Sequence, residues 1–552
     1  MPTNDTASPV WYPTNPAQKG LWVLDRVEQL RRTSMIPTVV EFVSPIDHVL
    51  LIAAVQRVLG RHPSLRSRFR LDADGKRIEY HTDGDPAAAG FIDVEADGWS
   101  PDDLDRLLEV LCYEPFDLAN EPPVRAEVIR IDATRTLLVF SVHHIVCDGW
   151  SRTLLMAEIA QVYRASAAGT DPVLSSPPHP SKVVTMANSV DAAERVPEIV
   201  DRLRGVPMGD GIPFRRSTDD TSLAGASQSS EFDEELTEAL MTAAAEEGCT
   251  PFMTAVALLA STLARTGEQR DFLFAFGWPG REDPAAAEAI GMFMNTAVLR
   301  VQIGETATWR DLLRETRAAA MEAFIDADVP LDAVTAGLRP NRDVIWPPLS
   351  TVLVNMTEVP ADMVLGPDLT GKLVPLPSLH MKYDLGLFVR LLGSGSRKRL
   401  ELSVDYIKAL YAHDDIAGLF ADLRRSAKDL THSLEDTVTE QSAPTNDLTT
   451  SEGRIGLVRD LWLEVLKLDN VADDVSFFDV GGDSLLLIVL VEKLSEATGL
   501  PIRTTDLFRA GTIKSQAALL VTPAKTTTSR PASGSSRDRL LDAARSRSAV
   551  ND

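Results

Sequence analysis

Two adjacent histidines are the residues of this chain best suited to chemistry. They lie in residues 141–151, which read Ser-Val-His-His-Ile-Val-Cys-Asp-Gly-Trp-Ser. The run before them, residues 136–142, is apolar and rich in β-formers, which predicts a buried strand. Because neighbouring side chains of a strand point to opposite faces, only one of His143 and His144 can face a given cavity. An imidazole in that position can move a proton near neutral pH.

The residues that follow the pair are expected to shape the loop in which it stands. Asp148 is near enough in the sequence to steer that loop through an ion pair, and Gly149 gives the backbone freedom to turn. Because a buried carboxylate without a partner is costly, we expect a cation beside Asp148. Cys147 lies between these residues and could be taken for a nucleophile, but we interpret it as a small filler.

A serine behind two glycines is the second feature with chemical potential. Residues 476–485 read Ser-Phe-Phe-Asp-Val-Gly-Gly-Asp-Ser-Leu, and an apolar helical stretch follows them. Asp483 or Ser484 would cap that helix. The two glycines would let the chain approach a bulky group and would leave the serine hydroxyl exposed. The simpler alternative is an ordinary helix-capping serine.

The histidine motif, His-His-x-x-x-Asp-Gly, resembles that of the chloramphenicol acetyltransferase-like superfamily, which includes the condensation domains of nonribosomal peptide synthetases. The continuation Trp150-Ser151 is similar to the condensation branch. Three motifs depart from the family. One keeps Val-Pro-Leu at 329–331 without the usual His-Gln, another has Ile345-Trp346 in place of Ser-Arg, and the Tyr-rich motif expected near residue 180 is hardly visible. Further family motifs occur in order at residues 15–22, 61–69, 271–281 and 290–296.

The resemblance implies an acyltransferase that forms peptide bonds, and it gives the motif residues roles. His144 would face the substrate tunnel, orient the attacking amine, and accept its proton or hydrogen-bond to the reacting group. His143 would pack and hydrogen-bond behind the loop. Asp148 would pair with an arginine, for which Arg281 is the first candidate and Arg66 the alternative.

Other residues are expected to support this site. Gly149 either lends a backbone N–H or allows the turn, and Asn295 either lines the tunnel or holds a lobe-crossing loop. Trp150 and Ser151 belong to the motif that builds the site. Recruitment relatives lack the second histidine, and cyclisation relatives carry aspartates at both positions. The resemblance therefore implies a condensation-competent domain, with the configuration of its donor left open.

The region around Ser484 resembles a peptidyl carrier domain. Patterns typical of helices at residues 453–468, 504–508 and 513–520 join the helix after the serine, which predicts a small four-helix unit. In that family the serine carries 4'-phosphopantetheine. The resemblance therefore implies this cofactor on Ser484, attached by a phosphopantetheinyl transferase.

Composition restricts the class of protein. A chain of 552 residues with 44% hydrophobic residues can form several domains with real cores. The net charge of −25 argues against nucleic acid and against anionic membrane surfaces as partners. The three cysteines are widely spaced and give neither a disulfide framework nor a zinc pattern, so we expect no metal. Without a signal peptide or a long apolar run, we expect a cytoplasmic protein.

Changes in composition predict where the domains begin and end. The predicted fold is an α/β (α+β) condensation domain of two chloramphenicol acetyltransferase-like lobes, followed by a small four-helix carrier domain. The tail has a local basic excess and is either a flexible end or a docking segment for an acidic partner. We place a leader at 1–12, an N-terminal lobe at 13–175, a C-terminal lobe at 182–435, a linker at 436–451, the carrier at 452–522 and the tail at 523–552.

The motifs that the sequence lacks predict its partners. Neither an adenylation-type phosphate loop nor a Gly-x-Ser-x-Gly elbow is present. We therefore expect a separate adenylation enzyme acting in trans to load Ser484, an upstream donor carrier domain and a downstream synthetase protein. Two alternatives stay open. A coenzyme A-dependent acyltransferase would need no pantetheinylated serine, and a non-catalytic scaffold that presents the carrier would show no turnover.

Overall fold

The computed structural model describes residues 9–520 with gaps. The family motif containing Ile345-Trp346, most of the predicted linker at 436–451 and the predicted tail at 523–552 lie outside the described residues. The positions left out between residues 9 and 520 are 96–99, 184–189, 208–211, 219, 268, 339–348, 358–361, 375, 377–379, 395–396, 439–450, 467, 469–470, 474, 478–479, 481, 483, 499, 501, 503–506 and 508–509.

Strands and helices alternate along most of the chain. The strands are β1 (Tyr12–Pro13), β2 (Met35–Phe42), β3 (Arg68–Leu71), β4 (Ile78–His81), β5 (Ala89–Asp93), β6 (Val124–Arg130), β7 (Thr136–His143), β8 (Gly225–Phe232), β9 (Asp271–Trp278), β10 (Asn295–Gln302), β11 (Val352–Met356), β12 (Met363–Gly366), β13 (Leu369–Leu373), β14 (Leu385–Ser394) and β15 (Arg397–Ile407). The helices are α1 (Pro16–Leu24), α2 (Glu28–Arg31), α3 (His48–Arg61), α4 (Pro101–Tyr113), α5 (Gly149–Ala167), α6 (Val190–Leu203), α7 (Glu234–Glu246), α8 (Pro251–Thr266), α9 (Trp309–Ile325), α10 (Leu331–Leu338), α11 (His413–His432), α12 (Ser451–Leu466), α13 (Ser484–Thr498) and α14 (Ile513–Leu519). By their contacts they form two compact units that divide between residues 439 and 440.

The first sheet has strand β7 near its centre. Its order is β12-β13-β2-β7-β6-β5, and β7 pairs antiparallel with both β2 and β6. Helix α4 packs against β2 and β7, and α3 packs against β5 and β6. Every residue of β7 is buried, because an uninterrupted apolar run suits a strand without a solvent face. The structure confirms the buried strand that the sequence predicts before the histidines.

The second sheet forms the core of the other lobe. Its order is β10-β9-β11-β14-β15-β8, with β11 parallel to β9 and β14 and the other pairs antiparallel. Helix α8 packs against α9 and α11, and residues 252–264 of α8 are all buried. Within the described residues no single helix is both long and apolar enough to cross a membrane. Helices α7 and α8 meet that criterion only as a pair, bent by 98°.

A hairpin from the second half of the chain completes the first sheet. Strand β13 pairs antiparallel with β2, with Gly371 opposite Phe42 and Leu373 opposite Val40, and β12 pairs with β13. A Cβ atom at Gly371 would lie 2.4 Å from Phe42 Cε1 and 2.5 Å from Val40 Cγ1. Glycine is therefore required at this position, where β13 packs alongside β2. The hairpin lies in the range assigned from sequence to the C-terminal lobe, yet it extends the sheet of the other lobe.

The unit after residue 440 is built on its own small core. Trp462 of α12 is fully buried and meets the Phe477 ring edge-on at 5.0 Å between centroids. The indole N–H of Trp462 donates to Gln516 Oε1 of α14 at 2.8 Å. Three of the four predicted helices are described here as α12, α13 and α14. The fourth, at residues 504–508, lies almost entirely outside the described residues.

Candidate active site

The two histidines stand at the end of β7. His143 is the last residue of the strand, and His144 begins the short 3-10 turn His144–Val146. Asp148 then caps helix α5, because its Oδ1 accepts a hydrogen bond from the Ser151 main-chain N–H at 2.8 Å. His143 is fully buried, whereas His144 is partly accessible. The strand end therefore separates the two imidazoles, one fully buried behind the turn and one partly accessible.

His143 is held at both ring nitrogens. The main-chain N–H of Ile145 donates to Nδ1 at 3.0 Å. On the other side, Nε2 lies 3.5 Å from Oδ1 of Asp25. The Phe116 ring meets the imidazole edge-on at 6.4 Å between centroids. Burial lowers the pKa of His143, and the Asp25 carboxylate opposes that shift, so this ring is a neutral imidazole in the fold at neutral pH.

His144 is also a neutral imidazole, in a different setting. Burial lowers its pKa to about 4, the positive charge of Lys382 adds to this shift, and Asp148 opposes it. Its buried Nδ1 accepts no hydrogen bond from another residue in the described part of the chain. An imidazole with so low a pKa is a weak base. It is better suited to accept a hydrogen bond from an incoming amine than to keep the proton.

Asp148 and Arg281 form a buried ion pair. Nη2 of Arg281 lies 2.7 Å from Oδ1 and 2.9 Å from Oδ2 of Asp148, and the two side chains are 6% and 3% exposed. The Phe293 main-chain N–H also donates to Oδ2 at 3.3 Å. Nη1 of Arg281 donates to the carbonyls of Ala286 and Ala289. The carboxylate therefore has the cationic partner that its burial requires.

Further hydrogen bonds tie the segment 281–293 to the start of α5. Ser151 Oγ donates to the Gly291 carbonyl at 2.9 Å and accepts from the Gly291 N–H at 3.1 Å. The indole N–H of Trp150 donates to the Ala287 carbonyl at 3.0 Å, while its ring stays about half exposed, at 51%. The turn that carries His144 is thus fixed from both lobes.

Two further candidate residues, Arg66 and Asn295, take no part in this ion pair. Arg66 ends the 3-10 turn Pro63–Arg66, and no ion pair between it and Asp148 occurs within the described residues. Of the two candidates the structure thus pairs Asp148 with Arg281. Asn295, the first residue of β10, donates through Nδ2 to the carbonyls of Ala327 and Val329, both at 2.8 Å. Asn295 therefore holds a loop, which is one of the two expected alternatives. This loop does not cross between the lobes, because Ala327 and Val329 both belong to the second lobe.

The turn interpretation of Gly149 is not supported. Its backbone is outside the left-handed region, so the turn does not require glycine. The residue is exposed, and a Cβ atom there would meet no protein atom within 4 Å. Neither the backbone conformation nor the surrounding space therefore requires glycine here. The alternative that its N–H assists the reaction stays a prediction.

Ser484 begins a helix whose approach is fixed by a close glycine contact. Ser484 is the first residue of α13. Before it, the Gly482 N–H donates to the Phe477 carbonyl at 2.9 Å, and a Cβ atom at Gly482 would lie 2.3 Å from Phe477 Cδ1. The glycine therefore allows the helix start to lie directly against the buried Phe477. Ser484, the first residue of this helix, is the position at which the sequence predicts the phosphopantetheine arm.

Two protein-family models match the chain. The model described as the condensation domain matches residues 10–449, and the model described as the phosphopantetheine attachment site matches residues 456–520. The chain belongs to the condensation-domain family. Its second unit is a carrier domain of the kind that bears 4'-phosphopantetheine on a serine.

The condensation domain has relatives among large synthetases. The chain is 28% identical over 390 residues to isonitrile lipopeptide synthase of Mycobacterium tuberculosis, a match that covers 68% of this chain and 15% of the relative. It is 30% identical over 359 residues to phosphinothricin tripeptide synthetase PhsC of Streptomyces viridochromogenes, covering 63% of this chain and 32% of the relative. The chain thus spans a minor part of the length of these relatives.

Solved structures share the fold of the condensation domain. The X-domain from teicoplanin biosynthesis aligns with a TM-score of 0.68 at 21% identity, over 78% of this chain and 97% of that one. The first condensation domain of the calcium-dependent antibiotic synthetase, in complex with a substrate analogue, aligns with a TM-score of 0.64 at 20% identity, over 78% and 98%. These matches support the predicted α/β (α+β) fold.

The condensation-domain site contains residues that the sequence did not single out. Asp25, at the end of α1, faces His143. Lys382 acts electrostatically on both histidines, and its own pKa falls to about 8 because it is buried. A polar residue in an apolar stretch was the only available signal for either, and such residues are common. The motif alone could not have identified them.

Proposed function

We propose that this chain joins a carrier-bound acyl or peptidyl thioester to an amine, or to an alcohol, with formation of an amide or ester bond. The observation that carries the proposal is His144, partly accessible on a turn fixed by the Asp148–Arg281 ion pair, in a chain that also contains a phosphopantetheine attachment domain. Ser484, as the serine that opens α13, is the proposed attachment residue. When bound, the phosphopantetheine thiol presents its cargo as a thioester.

The residues of the condensation domain would position the reactants and exclude wrong geometries. His144, a neutral imidazole, accepts a hydrogen bond from the attacking amine and aims its lone pair at the carbonyl carbon. His143 stays behind the turn and keeps His144 in place. The open space at Gly149 leaves room for the reacting groups. Positioning of this kind can supply much of the rate.

The same observations weigh against the two rival functions. A coenzyme A-dependent acyltransferase shares the histidine motif but needs no carrier domain, and this chain contains one. A non-catalytic scaffold would not need His144 on a turn fixed from both lobes by Asp148 and Ser151. The function that accounts for both units of the chain is condensation on a carrier.

The proposed reaction requires partners outside this chain. They are a phosphopantetheinyl transferase, a separate adenylation enzyme acting in trans, an upstream donor carrier domain and a downstream synthetase protein. We place them together in the cytoplasm, because Cys112, Cys147 and Cys249 are all free thiols. The net charge of −25 disfavours nucleic acid and anionic membranes as partners.

Intact mass of the full chain tests the proposal. A phosphopantetheinyl transferase with aminoacyl-coenzyme A should add one aminoacyl-pantetheinyl group, and Ser484→Ala should abolish that shift. Addition of an acyl thioester of N-acetylcysteamine should then increase the mass by one acyl group in the parent, and His144→Ala should slow this step about 100-fold or more. Equal rates in both chains would overturn the role of His144. Acylation of free amines by the Ser484→Ala chain would favour the coenzyme A-dependent rival.

A further inference from the structure

The turn that carries His144 is held from behind by helix α1. The buried side chain of Gln18 donates through Nε2 to the Ile145 carbonyl at 3.0 Å. The N–H of the same residue, Ile145, donates to His143 Nδ1. Both polar groups of this main-chain residue are therefore satisfied, one by α1 directly and one through the His143 ring. At the C-terminal end of α1 stands Asp25.

The hydrogen bond from Ile145 determines where the His143 proton lies. A main-chain N–H can only donate, so Nδ1 must present a lone pair. The single proton of the neutral ring is then on Nε2. That atom and Asp25 Oδ1 are both buried, lie 3.5 Å apart, and have no other hydrogen-bond partner among the described residues. The Nε2–H therefore faces a carboxylate oxygen at the outer limit of hydrogen-bond distance.

Asp25 also has a cation beside it. Arg31 of α2 places Nε 3.6 Å from Asp25 Oδ1, and its Nη2 donates to the Phe116 carbonyl at 3.0 Å. The Phe116 ring in turn meets His143 edge-on. Arg31, Asp25, Phe116 and His143 thus form one packed cluster behind the turn. The buried carboxylate therefore has a cation beside it.

We propose that Asp25 is a positioning residue for the condensation reaction, which keeps the His143 proton on Nε2 so that Nδ1 can hold the Ile145 N–H and fix the turn of His144. This inference rests on the proposed function. Without the acceptor at Asp25, the proton on Nε2 loses its partner, and the tautomer with the proton on Nδ1 becomes competitive. That tautomer cannot accept the Ile145 N–H, so the turn would loosen and His144 would lose its alignment.

Two substitutions separate the hydrogen bond from the charge. Asp25→Asn keeps an acceptor oxygen and Asp25→Leu removes it. Both remove the carboxylate charge beside Arg31 and leave Glu28 as its remaining anionic neighbour. Asp25→Leu should lower kcat for acyl transfer from the N-acetylcysteamine thioester to aminoacyl-Ser484 by about 10- to 100-fold, with KM little changed. Asp25→Asn should retain most of kcat. Equal losses in the two variants, or no loss in Asp25→Leu, would overturn the proposal.

A second buried carboxylate serves as the control. Glu247, 7% exposed, pairs with Arg310 and Arg314 in the second lobe. Glu247→Leu should lower the melting temperature and leave kcat per folded molecule at the parent value. A loss of kcat in Glu247→Leu equal to that in Asp25→Leu would assign the effect to general destabilisation and would also overturn the proposal.

The 15N chemical shifts of the imidazole rings report the tautomer of each histidine, and this measurement does not require catalytic activity. In full-length chain labelled with 15N-histidine, His143 should show the Nε2-protonated pattern, which Asp25→Asn keeps and Asp25→Leu loses. The His143→Asn chain assigns the resonance. An unchanged His143 pattern in Asp25→Leu would contradict the inference. If the parent forms no amide while this pattern changes as expected, the proposed function fails and the role of Asp25 in the turn stands.

Discussion

Arg281 reaches Asp148 from the other lobe, with Nη2 2.7 Å from Oδ1 and 2.9 Å from Oδ2. Asp148 caps α5 beside the first sheet, whereas Arg281 follows strand β9 of the second sheet. Because Asp148 also begins the helix directly after the histidine turn, this ion pair couples the approach of the lobes to the position of His144. Loss of either partner should therefore affect stability and activity together.

The first prediction concerns this ion pair. Asp148→Asn keeps the size of the side chain but leaves the Arg281 guanidinium buried without an anion. Removal of one member of a buried pair typically costs about 3–5 kcal/mol, so both the melting temperature and kcat should fall. Asp201→Asn, which breaks an exposed pair with Arg204, should change neither. A chain with Asp148→Asn that is fully stable yet inactive would indicate a direct part in the reaction instead.

The second prediction concerns the pH dependence of stability. The pKa of His144 is about 4 in the fold and 6.5 in an ordinary setting, so the unfolded chain binds the proton more readily between these values. As the pH falls from 6.5 toward 4, this residue therefore removes stability from the fold, and above 6.5 it has no such effect. His144→Gln should reduce the pH dependence of the free energy of unfolding between pH 4 and 6.5. Chemical denaturation at several pH values measures this dependence. Parallel curves for the two chains would rule out the lowered pKa.

The third prediction concerns the hairpin that completes the first sheet. Gly371→Ala would place a Cβ atom 2.4 Å from Phe42 Cε1, in a buried position that cannot yield easily. Overpacking of this kind typically costs about 1–3 kcal/mol, which a denaturation midpoint would show. Gly366→Ala in the same hairpin is the matched control, because its nearest neighbour, Leu369 Cβ, lies 3.7 Å away. Equal midpoints for the two variants would disprove the close contact.

The fourth prediction concerns the carrier domain. Gly482→Ala would drive a Cβ atom to within 2.3 Å of Phe477 Cδ1 and displace the start of α13. Phosphopantetheinyl transfer to Ser484 should therefore be slower. The rate at which the protein mass increases in the presence of coenzyme A and a transferase measures this. Gly511→Ala should be modified at the parent rate, because its Cβ would lie 3.8 Å from Ser476 Oγ. Modification of Gly482→Ala at the parent rate would contradict the proposed geometry.

Local patterns in the sequence were sufficient for local structure. The apolar run before the histidines predicted β7, and the alternation of strand side chains predicted that one imidazole is buried and the other accessible. Of the two glycines before Ser484, the structure describes Gly482, which lies directly against Phe477. Each of these properties depends on neighbours within a few residues.

Pairings between distant segments were beyond the same reasoning. The sequence left Arg281 and Arg66 as alternative partners of Asp148, and only the packing of the two lobes decides between them. Asp25 stood out only as a polar residue in an apolar stretch, because its role depends on a contact with His143 at the end of strand β7. For Gly149 the sequence left the turn and the backbone N–H as alternatives, and the backbone conformation that the structure shows does not require glycine.

During synthesis, strand β2 leaves the ribosome long before the hairpin of β12 and β13 has been made. Without that hairpin, β2 would be the edge of a four-stranded sheet, β2-β7-β6-β5, with one row of main-chain N–H and C=O groups unpaired. Such an edge is a template for pairing with other chains. We therefore expect nascent chains that pause before residue 363 to be the aggregation-prone species of this protein, and to depend on chaperones until the hairpin arrives.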